Sequence, residues 1–120
     1  MIIGIGTDII EIDRIKKAIE RWGDDFLKYI LTVEEITYAK RYQHPFAHYA
    51  GRFAAKEAIF KAVGNPKLSW QDITILNDKE GKPVCHHREP SFKNQILISI
   101  SHSKDYATAF CIITSPSSVK

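Results

Sequence analysis

From Phe46 to Val63 the chain reads FAHYAGRFAAKEAIFKAV, a long run that proline touches only at its threshold. Pro45 suits a first helical position, Gly64 stands where a helix places its C′ glycine, and Pro66 follows where the helix cannot continue. The run is predicted as one helix, the longest element in the chain. At 100° per residue, Phe46, Ala50, Phe53, Ala54 and Phe60 fall within about 60° of Glu57, which centres a carboxylate on the apolar stripe. Lys61 lies about 40° round on the same face. An i, i+4 ion pair on a wet helix contributes only about 0.2–0.5 kcal/mol. A carboxylate buried without compensation costs several kcal/mol, so Glu57 is expected to be paired, protonated or bound to a metal.

The same misfit occurs at the N-terminus, where IIGIGTDIIEI is an isoleucine-rich strand with Asp8 in its middle. Period-two alternation puts Asp8 on one face with Ile2, Gly4, Gly6 and Ile10, and the glycines are read as leaving room beside it. Asp8 could instead cap a turn or pair with Arg14. If Asp8 and Glu57 meet, two hard oxygen ligands with open positions suit Mg2+, which keeps several waters and binds phosphate oxygens.

Asp13 is read as the cap of a first helix with Ile15, Ile19 and Trp22 at helical spacing, ending at Gly23 and exposing Arg14, Lys16, Lys17 and Arg21. Thr32 and Glu35 have capping-box spacing, which predicts a second helix from Val33 to about Tyr42. DITIL (72–76), QILISIS (95–101) and YATAFCII (106–113) read as strands, NDKEGKP (77–83) as a turn and HSKD as a hairpin connection. Residues 85–94 show no period. The last strand leads into a short polar tail, TSPSSVK.

With 120 residues, 44% of them hydrophobic and 26% charged, a single domain spanning 1–120 is expected. The start passes directly into a strand pattern and there are only two cysteines, Cys85 and Cys111. These features lead us to expect a cytoplasmic protein without a disulfide framework or membrane span. A net charge of +3 favours acidic partners without choosing among them.

Ser101, His102 and Ser103 end a strand with three hydrogen-bonding groups where a phosphate or ribose could be held. Other patterns lead nowhere. GIG at 4–6 lacks the third glycine of a dinucleotide turn, and EGK at 80–82 is read as making its own turn. His44 and His48 have zinc spacing but lack the glutamate between them, and Cys85, His86 and His87 match no zinc pattern.

The motifs GIGTDIIEIDRI, AGRFAAKEAIFKAVG, WQDITILND with GKP, and SISHSKDYATAF run in order along nearly the whole chain. Together they resemble holo-acyl-carrier-protein synthase, a 4′-phosphopantetheinyl transferase. The resemblance implies an α+β fold: a small antiparallel sheet packed against one long helix and shorter helices. It implies transfer of the 4′-phosphopantetheine arm of coenzyme A to a serine of apo-acyl carrier protein, releasing adenosine 3′,5′-bisphosphate in support of fatty acid biosynthesis. Asp8 and Glu57 would then hold Mg2+ on the coenzyme A pyrophosphate, with Lys61 binding that pyrophosphate. His102, with Ser101 or Ser103 and Arg52, would hold the adenosine bisphosphate end. A homotrimer with sites between subunits is implied, with Arg14, Lys17 and Arg21 meeting the acidic carrier protein. VCHHREPSFKNQI and HPFAHY depart from the family pattern.

The resemblance leaves no role for nucleic acid or membrane. Two rival readings are a small basic nucleic-acid-binding module, which needs neither buried acid, and a phosphohydrolase using the same carboxylates.

Overall fold

The computed structural model describes residues 1–64 and 68–116; Pro66 and the tail's last four residues lie outside them. The elements, in order, are β1 (Ile2–Glu11), α1 (Ile12–Trp22), α2 (Asp24–Ile30), α3 (Val33–Ala39), α4 (Phe46–Val63), β2 (Ile73–Asn77), β3 (Pro83–His87), β4 (Gln95–His102) and β5 (Tyr106–Thr114). Strands order as β1-β5-β4 in one antiparallel sheet, while β2 and β3 form a separate hairpin. The architecture is the expected α+β one.

Alternation gives the three-stranded sheet two distinct faces. Register aligns Gly6, Cys111 and Ile98 in one row and Asp8, Ala109 and Ile100 in the next, all on the side covered by α4. The opposite side carries Ile5 beside Ile112 and Leu97, then Thr7 beside Phe110 and Ser99. An irregularity between Ile2 and Gly4 breaks the alternation, so Ile2 is exposed rather than sharing Asp8's face.

Helix α4 lies so close to β1 that a Cβ on Gly4 would overlap the carbonyl oxygen of Ala62, and one on Gly6 that of Ala58. The expected room beside Asp8 is therefore occupied by helix backbone. Gly4 and Gly6 permit close packing and leave no ligand space.

The C-terminal half of α4 packs Ala54, Ala55, Ala58 and Ile59 between β5 and the β2–β3 hairpin, through Ala109, Cys111, Ile113, Ile73 and Ile75. Its N-terminal half joins a second core of Ile15, Leu27, Ile30, Leu31, Tyr49 and Ala50. Covered on several sides, α4 is buried around most of its circumference. Within the stripe centred on Glu57, Ala50 and Ala54 are buried, while Phe46, Phe53, Glu57 and Phe60 are only half-buried, which corrects the expectation of a single apolar face.

Local readings also shift. The cap of α1 is Glu11, without a side-chain cap bond; Asp13 sits in the first turn. The N–H of Ile12 donates to Asp105 O at 2.8 Å, so the β4–β5 connection takes up a free amide at the helix start. Trp22 is 60% exposed and does not continue the Ile15 face. The capping box at Thr32 and Glu35 is present, but α3 ends at Ala39 rather than Tyr42. Helix α2 and strand β3 were not anticipated; β3 arises where Cys85 pairs with Ile75 and His86 with Thr74.

Candidate active site

Strand β1 and helix α4 bring the sequence-selected charges together. Lys61 Nζ is 3.1 Å from Asp8 Oδ1 and donates to Thr7 O at 3.0 Å. Asp8 is thereby tied to Lys61 across the helix–strand contact. Glu57 lies one turn before Lys61, and its carboxyl is raised above the usual carboxylate range. Burial is the main cause and Asp8's charge the next, with Lys61 opposing them. Asp8 pairs directly with Lys61, and Glu57 stands within electrostatic reach of both charges. The excess negative charge and hard oxygen donors fit a divalent cation such as Mg2+. The Asp8 side chain is 16% exposed and Lys61 56%, so the group opens to solvent at the edge of the sheet.

Arg52, one turn from His48 on α4, is buried. Its Nε donates to Ile75 O at 3.2 Å, a terminal nitrogen donates to Asn77 Oδ1 at 2.9 Å, and its guanidinium lies 5.0 Å from the Tyr38 ring centre. Arg52 and His102 line one cleft of about 170 Å³ with His48, Asn77, Gly81 and Pro83. The structure therefore brings Arg52 and His102 together from α4 and β4.

The flanking serines point elsewhere. Ser101 pairs with Thr108 on the outer face of the sheet, while Ser103 Oγ accepts from Tyr106 N at 3.4 Å in the hairpin. His102 also lines a wider groove of about 700 Å³ with Ser103, Lys16, His44, Phe46 and Glu11, which connects this region to α1.

On α1, Arg14, Lys17 and Arg21 are exposed. Lys17 Nζ lies 2.9 Å from Asp13 Oδ2, and Arg21 stacks 4.8 Å from the Trp22 ring centre. Asp13 therefore partly neutralises Lys17, while Arg14 and Arg21 carry their charge at the exposed surface of α1.

Sequence reasoning missed Lys56. It is fully buried and donates to Glu35 Oε1 at 2.6 Å, Ile30 O at 2.9 Å and Trp70 O at 2.9 Å. The available signal was its position between Ala55 and Glu57 in a helix apolar on nearly every side. Asn77 was missed because its partner, Arg52, is distant in sequence.

A family model described as the 4′-phosphopantetheinyl transferase superfamily, ACPS, matches residues 4–111. The holo-[acyl-carrier-protein] synthase of Thermodesulfovibrio yellowstonii is 44% identical over 95% of this chain and 100% of its own. That of Chloroherpeton thalassium is 50% identical over 91% of this chain and 95% of its own. A crystal structure of the Bacillus anthracis synthase in complex with CoA (3′,5′-ADP) has a TM-score of 0.85 at 42% identity, covering 96% of this chain and 98% of that one. The Helicobacter pylori synthase in complex with coenzyme A has a TM-score of 0.81 at 34% identity, covering 92% and 99%. None of these likenesses supports the nucleic-acid-binding reading. With the match running across nearly all of its elements, the chain belongs to the ACPS family of 4′-phosphopantetheinyl transferases.

Proposed function

We propose that this chain transfers the 4′-phosphopantetheine group of coenzyme A to a serine of apo-acyl carrier protein, in the service of fatty acid biosynthesis. The observation that carries the reading is the cluster of Asp8, paired with Lys61, and Glu57 beside them, within a fold and sequence like those of holo-acyl-carrier-protein synthases. The serine oxygen forms a bond to the pyrophosphate phosphorus carrying the pantetheine arm. The phosphorus–oxygen bond to the adenosine side breaks, and adenosine 3′,5′-bisphosphate leaves.

Such a displacement requires charge neutralisation and in-line positioning more than a covalent role for the enzyme. Asp8 and Glu57 are the residues that would hold Mg2+, which when bound neutralises the pyrophosphate and polarises the phosphorus under attack. Lys61 donates to the pyrophosphate oxygens and offsets charge on the departing group. Arg52 and His102 hold the adenosine bisphosphate end, and Ser103 lines the wider groove beside His102. Glu57 and a carboxylate of the carrier are both candidates to accept the serine proton.

Arg14 and Arg21, with Lys17 beside them, form the basic face offered to the acidic carrier protein. The outer sheet face supports a homotrimer with sites between subunits: Ile5, Ile9, Leu97 and Phe110 are 63%, 65%, 49% and 43% exposed there. The span of the family match supports one transferase domain over 1–120. Free Cys85 and Cys111 support a cytoplasmic setting, and no helix among the described residues is long and apolar enough to cross a membrane.

Incubation with apo-acyl carrier protein, coenzyme A and Mg2+ tests the reading. The carrier should gain the mass of one phosphopantetheine arm on its serine, with release of the bisphosphate dependent on that acceptor. An unmodified carrier would overturn the transferase; bisphosphate release without an acceptor would support the phosphohydrolase reading instead.

A further inference from the structure

His48 belongs to HPFAHY, a stretch the family resemblance does not account for. It lines the 170 Å³ cleft between two other groups able to carry positive charge. Arg52 follows one turn later on α4, and the His102 ring of β4 lies 6.3 Å away, centre to centre. Tyr42 stacks on the His48 ring at 3.8 Å and Tyr38 meets it edge-on at 6.0 Å. The two hydroxyls are 3.0 Å from each other. The groups facing His48 are therefore Arg52 from α4, His102 from β4, Tyr38 from α3 and Tyr42 from the turn after it. Among the described residues, the cleft lining contains no carboxylate.

An arginine and two imidazoles around a small concavity without an acid form a receptor for a multiply charged anion. In the free protein the same arrangement works against protonation of His48. Its pKa is lowered first by burial, then by the charges of Arg52 and His102. A phosphate monoester seated among the three groups reverses that balance, because its negative charge outweighs the repulsion.

We propose that His48 is a binding residue that takes up a proton when the phosphate monoester of the adenosine bisphosphate end enters the cleft. The inference rests on the transferase reading above and adds a residue and a proton to it. Binding then tightens as pH falls through the physiological range, and the proton leaves with the product. Thermodynamic linkage requires the coupling to be reciprocal: the anion raises the affinity of His48 for a proton by the same factor that the proton raises affinity for the anion.

Isothermal titration of adenosine 3′,5′-bisphosphate between about pH 5.5 and pH 8, in buffers of different ionisation enthalpy, measures that proton. The wild type should take up a proton on binding that His48→Gln does not. Its affinity should rise about tenfold more than the variant's across the range, after the titration of the phosphate itself cancels in the comparison. Identical pH profiles for the two proteins would overturn the inference and leave the transferase reading intact. Absence of bisphosphate binding by the wild type at every pH would overturn both. In the unsubstituted protein, the His48 ring resonance should titrate at a higher pH with bisphosphate bound than without it; equal midpoints would also overturn the inference.

Discussion

Helix α4 carries two lysine–carboxylate groups within six residues, and they have opposite characters. At Lys56 the pairing is saturated. Glu35 Oε1 accepts from Lys56 and from Thr32 N, while Oε2 accepts from Ile75 N at 2.8 Å, and Lys56 has two carbonyl partners besides. Both side chains are 0% exposed. At Lys61 the pairing is incomplete: one partly exposed ammonium pairs with Asp8, beside a Glu57 carboxyl that burial already disfavours as an anion. Identical residue types give an internal strut when every polar atom is satisfied, and a cation-hungry site when one charge is left over.

Breaking the saturated pair should have the largest effect on folding. Lys56→Met strands a buried carboxylate and should cost about 3–5 kcal/mol in urea unfolding. Adding Glu35→Gln removes the stranded charge and should recover part of the loss. If Lys56→Met alone unfolds like the wild type, the strut interpretation fails.

At the incomplete site the effect moves from stability to turnover. Asp8→Ala and Glu57→Gln should each lower carrier modification by about 10²–10³-fold while leaving the circular dichroism spectrum unchanged. Full Mg2+-dependent activity in either variant would remove that residue from the site.

The contact beneath the site offers an intermediate test. Gly6→Ala places a methyl against the Ala58 carbonyl and should cost about 1–3 kcal/mol while shifting Asp8 relative to α4. Unchanged stability and turnover together would show that close approach of β1 and α4 is dispensable.

The smallest effect is a gain. Because the Glu57 carboxyl is raised in the folded state, its contribution to metal-free stability is fully present below the ordinary carboxylate pKa and is lost as pH rises through the raised value. Without Mg2+, Glu57→Gln should therefore melt slightly higher than the wild type near neutral pH and show a flatter acid-side slope. A lower melting point would contradict the surplus-charge account.

The proximity of Asp8 and Glu57 was legible because each carboxylate interrupts an apolar pattern, and a common partner is the economical explanation for both. The glycines misled because sequence shows only that a side chain is missing, and the helix backbone that fills the space comes from more than fifty residues away. Lys56 was hidden by the assumption that α4 has one buried face. That holds for a helix lying on a sheet, but α4 is also covered by the β2–β3 hairpin and the shorter helices. Strand β3 exists through its pairing with β2, which the local pattern of Cys85, His86 and His87 does not encode. At α1, Asp13 has a capping side chain, yet the helix starts at Ile12, whose N–H is taken up by the Asp105 carbonyl.

The Glu35–Lys56 junction also bears on how the molecule opens. It ties the end of α2 at Ile30, the start of α3 at Thr32, the middle of α4, the backbone at Trp70 and β2 at Ile75. Detaching any of these segments removes a hydrogen bond from one of the two buried ions, and separating α3 from α4 breaks the ion pair itself. The slowest-exchanging amides of α3 and β2 should therefore share a single opening free energy, making this half of the protein one cooperative unit while the rim around Lys61 remains free to adjust.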